Sequence, residues 1–100
     1  MILVRNSYYA TPGNESAVWA TRLEASQQAI RLGLPAGQIL LPIVFSGDAP
    51  TVVWECVHSS MEDRKRISKL LSENIDFAAV RERMSTLTRR IERQNFELVE

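Results

Sequence analysis

Three side chains that could carry chemistry lie at alternate positions near the middle of the chain. Trp54, Cys56 and His58 are each two residues apart, so they would share one face of a β-strand. There His58 could act as a general base or lower the pKa of the Cys56 thiol for nucleophilic attack. Their roots would stand about 6 to 7 Å apart, however, which is too far for an assured hydrogen bond. A buried thiol beside a histidine at a strand end is the structural alternative.

A second polar pair lies on the first predicted strand, where Asn6 and Tyr8 share one face. An amide and a phenol can orient a ligand through directional hydrogen bonds while apolar neighbours exclude water. We therefore expect Asn6, Tyr8, Trp54 and His58 to line any ligand-binding cavity, and we assign no catalytic residue. The alternative for the pair on the first strand is a structurally hydrogen-bonded asparagine and an interface tyrosine.

Composition limits the possible partners and cofactors. The chain has 100 residues, which predicts one domain spanning 1–100, and its twelve basic and twelve acidic side chains cancel. This balance gives no electrostatic reason to expect nucleic acid or an anionic membrane as a partner, and it favours self-association. The predicted third strand also lacks the basic, glycine and aromatic signature of RNA-recognition domains.

The single cysteine and single histidine offer no metal-ligand set, so neither a metal nor another cofactor is expected. One cysteine also excludes an internal disulfide, which suits a reducing cytosol. The apolar start of the chain is interrupted by Arg5 and Asn6. It therefore resembles neither a signal peptide nor a membrane helix, and we expect a soluble, cytoplasmic protein.

Turn residues and periodicity predict the elements of the first third of the chain. Ile2 to Ala10 is rich in β-branched and aromatic residues and ends at a Pro-Gly turn, which predicts a strand. A helix should begin after Asn14 and end at Gly33, which is followed closely by a proline. Its apolar stripe recurs at helical spacing: Trp19, Leu23, Ser26 and Ile30.

Two apolar runs follow, Ile39 to Phe45 and Thr51 to Val57, joined by a short polar loop, and the strand formed by the second run should extend to His58. We predict a strand for each. Pro42 lies inside the first run and cannot donate a hydrogen bond to a neighbouring strand, so that strand belongs at an edge. Both runs are apolar on the two faces of any strand they form, which indicates that each face of the sheet is covered.

A second helical region should start at the capping serines Ser59 and Ser60 and pause near Asn74. Its second half carries the clearest periodic stripe in the chain, predicted to face the core: Phe77, Val80, Met84, Leu87 and Ile91. The basic residues Arg64, Lys65, Arg66, Arg89 and Arg90 have acidic neighbours and are typical of a solvated helix face. Asn95 to Val99 alternates and predicts the last strand.

The resulting order, βαββαβ, is the split βαβ or ferredoxin-like arrangement, an α+β fold with a four-stranded antiparallel sheet. Right-handed crossovers place the strands in the order four, one, three, two and both helical regions on one face of the sheet. The other face would be left apolar and uncovered. We therefore predict a homodimer formed face to face through the sheet.

Several segments carry a family resemblance that spans nearly the whole chain: Thr11-Pro12-Gly13 after the first strand, Val52-Val53-Trp54-Glu55 leading to Ser60-Met61-Glu62-Asp63-Arg64, and Asp76-Phe77 to Met84 followed by Arg89-Arg90-Ile91-Glu92. The chain resembles the NIPSNAP-type branch of the dimeric α/β-barrel superfamily. The resemblance implies a homodimer whose two sheets form a shared barrel with the helices outside.

The same resemblance bears on function. The superfamily includes cofactor-free oxygenases, haem-degrading enzymes, isomerases, cyclases and members without known activity. Asn6 matches an asparagine of the haem-degrading relatives, but their tryptophan and histidine correspond here to Leu71 and Arg81, which argues against haem chemistry. The resemblance favours a cavity for a small, partly aromatic molecule. A cofactor-independent oxygenase, isomerase or cyclase and a non-catalytic structural or regulatory dimer remain the alternatives.

Overall fold

A computed structural model of the chain describes residues 1–43 and 47–99. The predicted ferredoxin-like order is confirmed, with the second helical region divided into two helices. The elements are β1 (Ile2–Ala10), α1 (Glu15–Arg31), β2 (Gln38–Leu40), β3 (Val52–His58), α2 (Met61–Glu73), α3 (Ile75–Leu87) and β4 (Thr88–Glu97).

The four strands form one antiparallel sheet in the order β2-β3-β1-β4, as predicted. β1 is central and pairs with β3 on one side and β4 on the other. The register places Asn6 opposite both Trp54 and Arg93, and Tyr8 opposite both Val52 and Ile91. Since directly opposed residues lie on the same face of a sheet, these side chains form two adjacent rows on that face.

β2 is much shorter than predicted. It pairs with β3 only from Gln38 to Leu40 and lies at the edge of the sheet. The predicted strand continued through Pro42 to Phe45, but the strand ends before Pro42, which has no N–H to donate. Phe45 lies outside the described residues. The edge position inferred from the proline is therefore correct, whereas the predicted length is wrong.

α1 ends as its sequence predicts. Gly33 adopts a positive φ of 72°, its N–H donates to the Ile30 carbonyl, and the N–H of Leu34 donates to the Ala29 carbonyl, both at 2.9 Å. This double hydrogen bond is the Schellman arrangement. Asn14 occupies the N-cap position as predicted, although its side chain makes no capping hydrogen bond.

The buried face of α1 differs from the stripe that predicted the helix. Trp19, Leu23 and Ile30 are exposed, whereas the buried residues of the helix are small or polar: Val18, Thr21, Arg22, Ala25 and Ala29. This second set faces the interior of the protein, where Val18 joins the main cluster and Ala25 packs against α3. The larger apolar residues remain on the outside of the helix.

The second helical region divides at Asn74, whose side-chain oxygen accepts a hydrogen bond from the Phe77 N–H at 2.9 Å. Ser60 caps α2 in the same way, accepting from the Asp63 N–H at 3.1 Å. Both features agree with the predicted caps and pause. Each cap satisfies a backbone donor that the first turn of a helix leaves unpaired.

The prediction that the apolar stripe continues on one helix as far as Ile91 is wrong. Phe77, Val80 and Met84 are buried on α3, but the helix ends at Leu87. Ile91 belongs to β4, which starts at Thr88 and runs to Glu97, well before the predicted start of the last strand at Asn95. Leu87 and Ile91 still pack against the same buried cluster, because the chain turns back onto the sheet.

The core lies between the sheet and the three helices. Its main cluster joins β1, α1, β3 and α3 through Tyr8, Ala10, Val18, Val52 and Met84. A second cluster joins α1 to α3 through Ala25, Phe77 and Val80. No helix within the described ranges is long and apolar enough to cross a membrane.

Substitutions on the buried and the exposed face of α1 test this packing directly. Val18 has 0% of its surface exposed, so Val18→Ala should lower the free energy of unfolding by about 2 kcal/mol, from two lost methyl groups and the space they leave. Leu23 is 38% exposed, and Leu23→Ala should change it by less than about 0.5 kcal/mol. Urea unfolding measures both values. A larger effect at Leu23 would contradict the observed helix orientation.

Candidate functional site

A cavity of about 380 Å³ lies between the sheet and the helices. Cavities that hold small molecules usually range from about 300 to 1,000 Å³. Alternate residues of three strands form its floor: Val4, Asn6 and Tyr8 of β1, Trp54, Cys56 and His58 of β3, and Ile91 and Arg93 of β4. All three helices contribute to its walls. The strand pairing thus determines which side chains border the space.

All four predicted site residues, Asn6, Tyr8, Trp54 and His58, line this cavity. Strand alternation and the pairing of β1 with β3 bring them to one face. Asn6 Nδ2 lies 3.3 Å from the Tyr8 hydroxyl oxygen and donates to it. Their position agrees with the expectation, and their role in binding a ligand stays a prediction.

Arg22 is a cavity residue that the sequence reasoning missed. It lies on the buried face of α1 with only 6% of its surface exposed. Its Nη1 donates to the Tyr8 hydroxyl at 3.0 Å and its Nη2 to the Ser26 hydroxyl at 3.3 Å. The guanidinium carbon lies 4.9 Å from the centre of the Trp54 ring. Tyr8, Trp54 and Arg22 therefore form one cluster in which two aromatic rings surround a cation.

A signal for Arg22 was present in the sequence. Val18, Arg22, Ala25 and Ala29 recur at intervals of three and four, which is the spacing of one helix face. The stripe that contains Trp19 and Leu23 is more apolar and was therefore favoured as the helical pattern. A stripe of small residues can mark the face of closest approach, and an arginine within it indicates a polar group in the interior.

The position of Trp54 depends on the chain entering β2. Its indole Nε1 donates to the Ala36 carbonyl at 2.8 Å. Gly37 follows with a φ of +68°, and a Cβ added there would meet the Glu55 backbone oxygen and would lie 2.6 Å from Trp54 Nε1. A glycine at this position therefore allows the chain to pass against the indole. This contact holds the ring over the cavity.

Cys56 and His58 are both buried at the cavity floor. Burial raises the pKa of the Cys56 thiol, while the positive charge of Arg22 opposes that shift. Burial lowers the pKa of His58 below its ordinary 6.5, against the opposing effect of Asp63. At neutral pH the thiol is therefore protonated and the imidazole uncharged. This environment favours the structural alternative for the pair over nucleophilic chemistry.

The basic residues divide into two groups. Arg64 lines the cavity, so its assignment to a solvated helix face was wrong, and Arg81 and Arg93 line it as well. Arg66 agrees with the expectation, since it is exposed and pairs with Asp63 at 2.7 Å. Glu82 is the one carboxylate among the described residues that border the cavity.

Arg89 and Arg90 lie on a strand, not on the helix face that was predicted. They bind the Asp48 carboxylate at 2.6 and 3.0 Å, and the Arg90 guanidinium stacks on the Tyr9 ring at 3.9 Å. These contacts cover Tyr9 on the face of the sheet away from the helices. The two arginines lower the pKa of Asp48. Across residues 1–43 and 47–99, no group of three or more potential metal ligands lies together.

Four buried side-chain polar atoms have no hydrogen-bond partner within the described chain: Asn6 Oδ1, Arg22 Nε, His58 Nδ1 and Arg64 Nε. All four residues line the cavity. Buried polar atoms are nearly always hydrogen-bonded in proteins, because an unpaired one costs about 1 to 3 kcal/mol. Their concentration around one space distinguishes this cavity from a packing defect in an apolar core.

Two glycine variants test how the indole is positioned. Gly33→Ala meets open space, so only its positive φ opposes the change, at a cost of about 1 to 2 kcal/mol. Gly37→Ala has the same backbone problem and also displaces Trp54, so it should lower the free energy of unfolding by at least about 1 kcal/mol more. Chemical unfolding measures stability, and Trp54 emission reports the displacement. Equal effects at both positions would contradict the packing described here.

Comparison with known proteins supports the fold. No protein-family model matches the sequence, and no curated protein matches it either. Among solved structures, a NIPSNAP family protein from Agrobacterium tumefaciens str. C58 is similar, with 20% identity and a TM-score of 0.74 over 99% of this chain and 86% of that one. A putative antibiotic biosynthesis monooxygenase from Nitrosomonas europaea has 15% identity and a TM-score of 0.67 over the full length of both chains.

A dimeric protein of unknown function with a ferredoxin-like fold, from Bacteroides fragilis NCTC 9343, is also similar. It has 8% identity and a TM-score of 0.67, over 97% of this chain and 95% of that chain. Identities this low establish a shared fold and leave activity undetermined. The resemblance to NIPSNAP-type proteins is confirmed at that level: the chain has the ferredoxin-like fold that these proteins share.

Proposed function

We propose that this protein is a homodimer that binds a small, partly aromatic molecule in the cavity between its sheet and its helices. The observation that carries the proposal is that four residues lining one cavity each have a buried polar atom with no hydrogen-bond partner in the described chain: Asn6, Arg22, His58 and Arg64. A polar ligand in that space would supply partners to this group of residues.

The composition of the wall supports an aromatic ligand. Tyr8 and Trp54 offer ring faces, and Val4, Val80 and Met84 supply apolar surface. Apolar walls with a few polar groups are typical of sites that bury most of a small molecule while fixing its orientation. The volume of about 380 Å³ suits a molecule of about one to three rings.

The proposal of a homodimer rests on the other face of the sheet. No helix covers that face, and it presents Leu3, Val53, Val57 and Phe96 wholly or partly to solvent. An extended apolar surface of this kind is typical of an interface. The similar protein from Bacteroides fragilis is described as dimeric, which is consistent with the same assembly here.

The charges on the outer face do not oppose such an interface. Arg5 and Glu55 lie opposite each other on paired strands and form an ion pair at 3.2 Å. The Arg5 guanidinium also stacks on the Phe96 ring at 5.1 Å. Because the two charges already satisfy each other within one subunit, a second copy could cover them without leaving either one unpaired.

A cofactor-independent oxygenase is a second candidate, with isomerase and cyclase activities as related alternatives. The similar protein described as a putative antibiotic biosynthesis monooxygenase favours this candidate, as does a cavity able to shield a reactive substrate from water. Oxygen uptake with electron-rich phenols, measured without added metal or flavin, tests it. A non-catalytic structural or regulatory dimer is the remaining alternative.

The composition supports two further proposals, one on cellular location and one on nucleic-acid binding. We propose a cytoplasmic location, since the single cysteine cannot form an internal disulfide, and no nucleic-acid partner, since the net charge is zero.

The two tryptophans provide a test of ligand binding. Trp54 lines the cavity, whereas Trp19 lies on the outside of α1. In a Trp19→Phe variant, 2-naphthamide and related aromatic fragments should change the emission of Trp54 in a saturable manner. In the matched Trp54→Phe variant the same fragments should leave Trp19 emission unchanged. Binding that affects only Trp19, or no binding by any fragment, would contradict the proposed site.

A charge on the outer face tests the dimer. Val57 is 46% exposed in the single subunit, so Val57→Asp should be tolerated by a monomer but should separate two subunits that meet at this face. Ile75→Asp is the control, because Ile75 is 85% exposed on the helical side. Analytical ultracentrifugation should give twice the 11.3 kDa subunit mass for wild type and for the control, and 11.3 kDa for Val57→Asp. A monomeric wild-type protein would refute the dimer.

A further inference from the structure

Arg22 is a buried cation with no anion beside it. No carboxylate in residues 1–43 or 47–99 lies within 4.0 Å of its guanidinium, and its acceptors are the neutral hydroxyls of Tyr8 and Ser26. Arginine is almost never buried to this extent without a partner, because removing its charge from water is costly. Two aromatic rings beside it offset only part of that cost.

The cluster around Arg22 has donors in excess. Arginine carries five N–H groups, and the one on Nε has no acceptor in the described chain. The Tyr8 oxygen accepts hydrogen bonds from both Arg22 and Asn6, so its two lone pairs are engaged and its own proton is left to donate. A group that complements Arg22 and Tyr8 must therefore be an acceptor, whereas Asn6 Oδ1 is an acceptor of the described cluster that still lacks a donor.

The charged side chains of the cavity wall are mostly positive. Four arginines border the cavity, Arg22, Arg64, Arg81 and Arg93, against the single carboxylate of Glu82. None of these five takes part in an ion pair among the described residues. A cleft lined by one sign of charge raises the local concentration of ligands of the opposite sign.

We infer that the ligand is an anion: a small aromatic carboxylate whose carboxyl group binds at Arg22 and Tyr8 and whose ring lies against Trp54. This inference rests on the proposed function and adds the chemical class of the ligand. The guanidinium fork matches the two oxygens of a carboxylate, and such charge-assisted hydrogen bonds are about twice as strong as neutral ones. The net charge of the chain, which is zero, conceals this local excess.

Three probes of nearly equal size test the charge requirement: 2-naphthoate, the neutral 2-naphthamide and the cationic 2-naphthylmethylammonium. Isothermal titration calorimetry of the wild-type protein at pH 7.5 should show that naphthoate binds at least about tenfold more tightly than naphthamide, since one hydrogen bond to a charged group supplies that factor. The cation should bind more weakly than either. This order would be reversed by a cavity that prefers cations.

Variants of Arg22 assign the preference to this residue. Arg22→Gln keeps a donor but removes the charge, so the affinity for naphthoate should fall more than the affinity for naphthamide, and the preference for naphthoate should drop below about threefold. Arg22→Lys keeps the charge but lacks the fork, and it should retain only part of the preference. Arg31→Gln is the control, because Arg31 is exposed at the end of α1 and does not line the cavity. It should behave as wild type.

The outcomes separate this inference from the proposed function. If naphthamide and naphthoate bind equally well at Trp54, the cavity binds aromatic ligands and the anion inference is wrong. If none of the probes binds, both proposals fail. If Arg22→Gln unfolds, the salt dependence of binding to the wild-type protein decides instead. Raising NaCl from 50 to 500 mM should weaken the binding of naphthoate several-fold and leave the affinity for naphthamide unchanged. An equal salt response for both probes would overturn the inference.

Discussion

The pairing of β1 with neighbours on both sides is the constraint on which the rest of the structure depends. Because β1 is central, its register with β3 and β4 determines which side chains share the face beneath the helices. A shift of one residue would move Asn6 and Tyr8 to the outer face and bring Arg5 and Ser7 inward. The cavity, its polar rows and the apolar outer face are therefore set together by one pairing pattern.

The interior formed by this register combines two types of packing. Near the ends of β1 and β3, small and apolar side chains such as Val18 and Val52 are fully buried. Towards the middle, Asn6, Trp54 and Arg22 replace close apolar packing with hydrogen bonds and ring faces. Polar groups of this kind reduce the stability that the same volume of apolar side chains would provide. A chain of 100 residues has little stability to spare, so this arrangement is characteristic of a site.

Features that depend on local geometry could be predicted from the sequence. Strand alternation placed Asn6 with Tyr8 and Trp54 with His58, each pair on one face of its own strand, and Pro42 identified the edge strand, since both arguments need only backbone geometry. The pairing of β1 with β3 brings the two pairs together. The buried face of α1 could not be identified, because Trp19 and Leu23 are more apolar than the small residues that are actually buried.

The start of β4 was missed for a related reason. Ile91 follows Leu87 by four residues, as it would in a continuing helix, and the many charged residues of an exposed edge strand give no alternating pattern. Arg22 was not predicted to line the cavity because the buried face of α1 had not been recognised. Long-range contacts decided each of these cases, and a single sequence contains no direct record of them.

The break at Asn74 has a consequence for how a molecule could reach the cavity. α1 and α3 each bury several residues, whereas α2 buries only Ile67 among its thirteen. The free energy needed to separate a segment locally from a fold depends largely on the apolar surface it buries, so we expect α2 to have the lowest local stability of the three helices. Asn74 ends α2 and its side chain caps α3, so local unfolding of α2 would leave that cap in place. Access to the cavity would then depend on the local stability of α2.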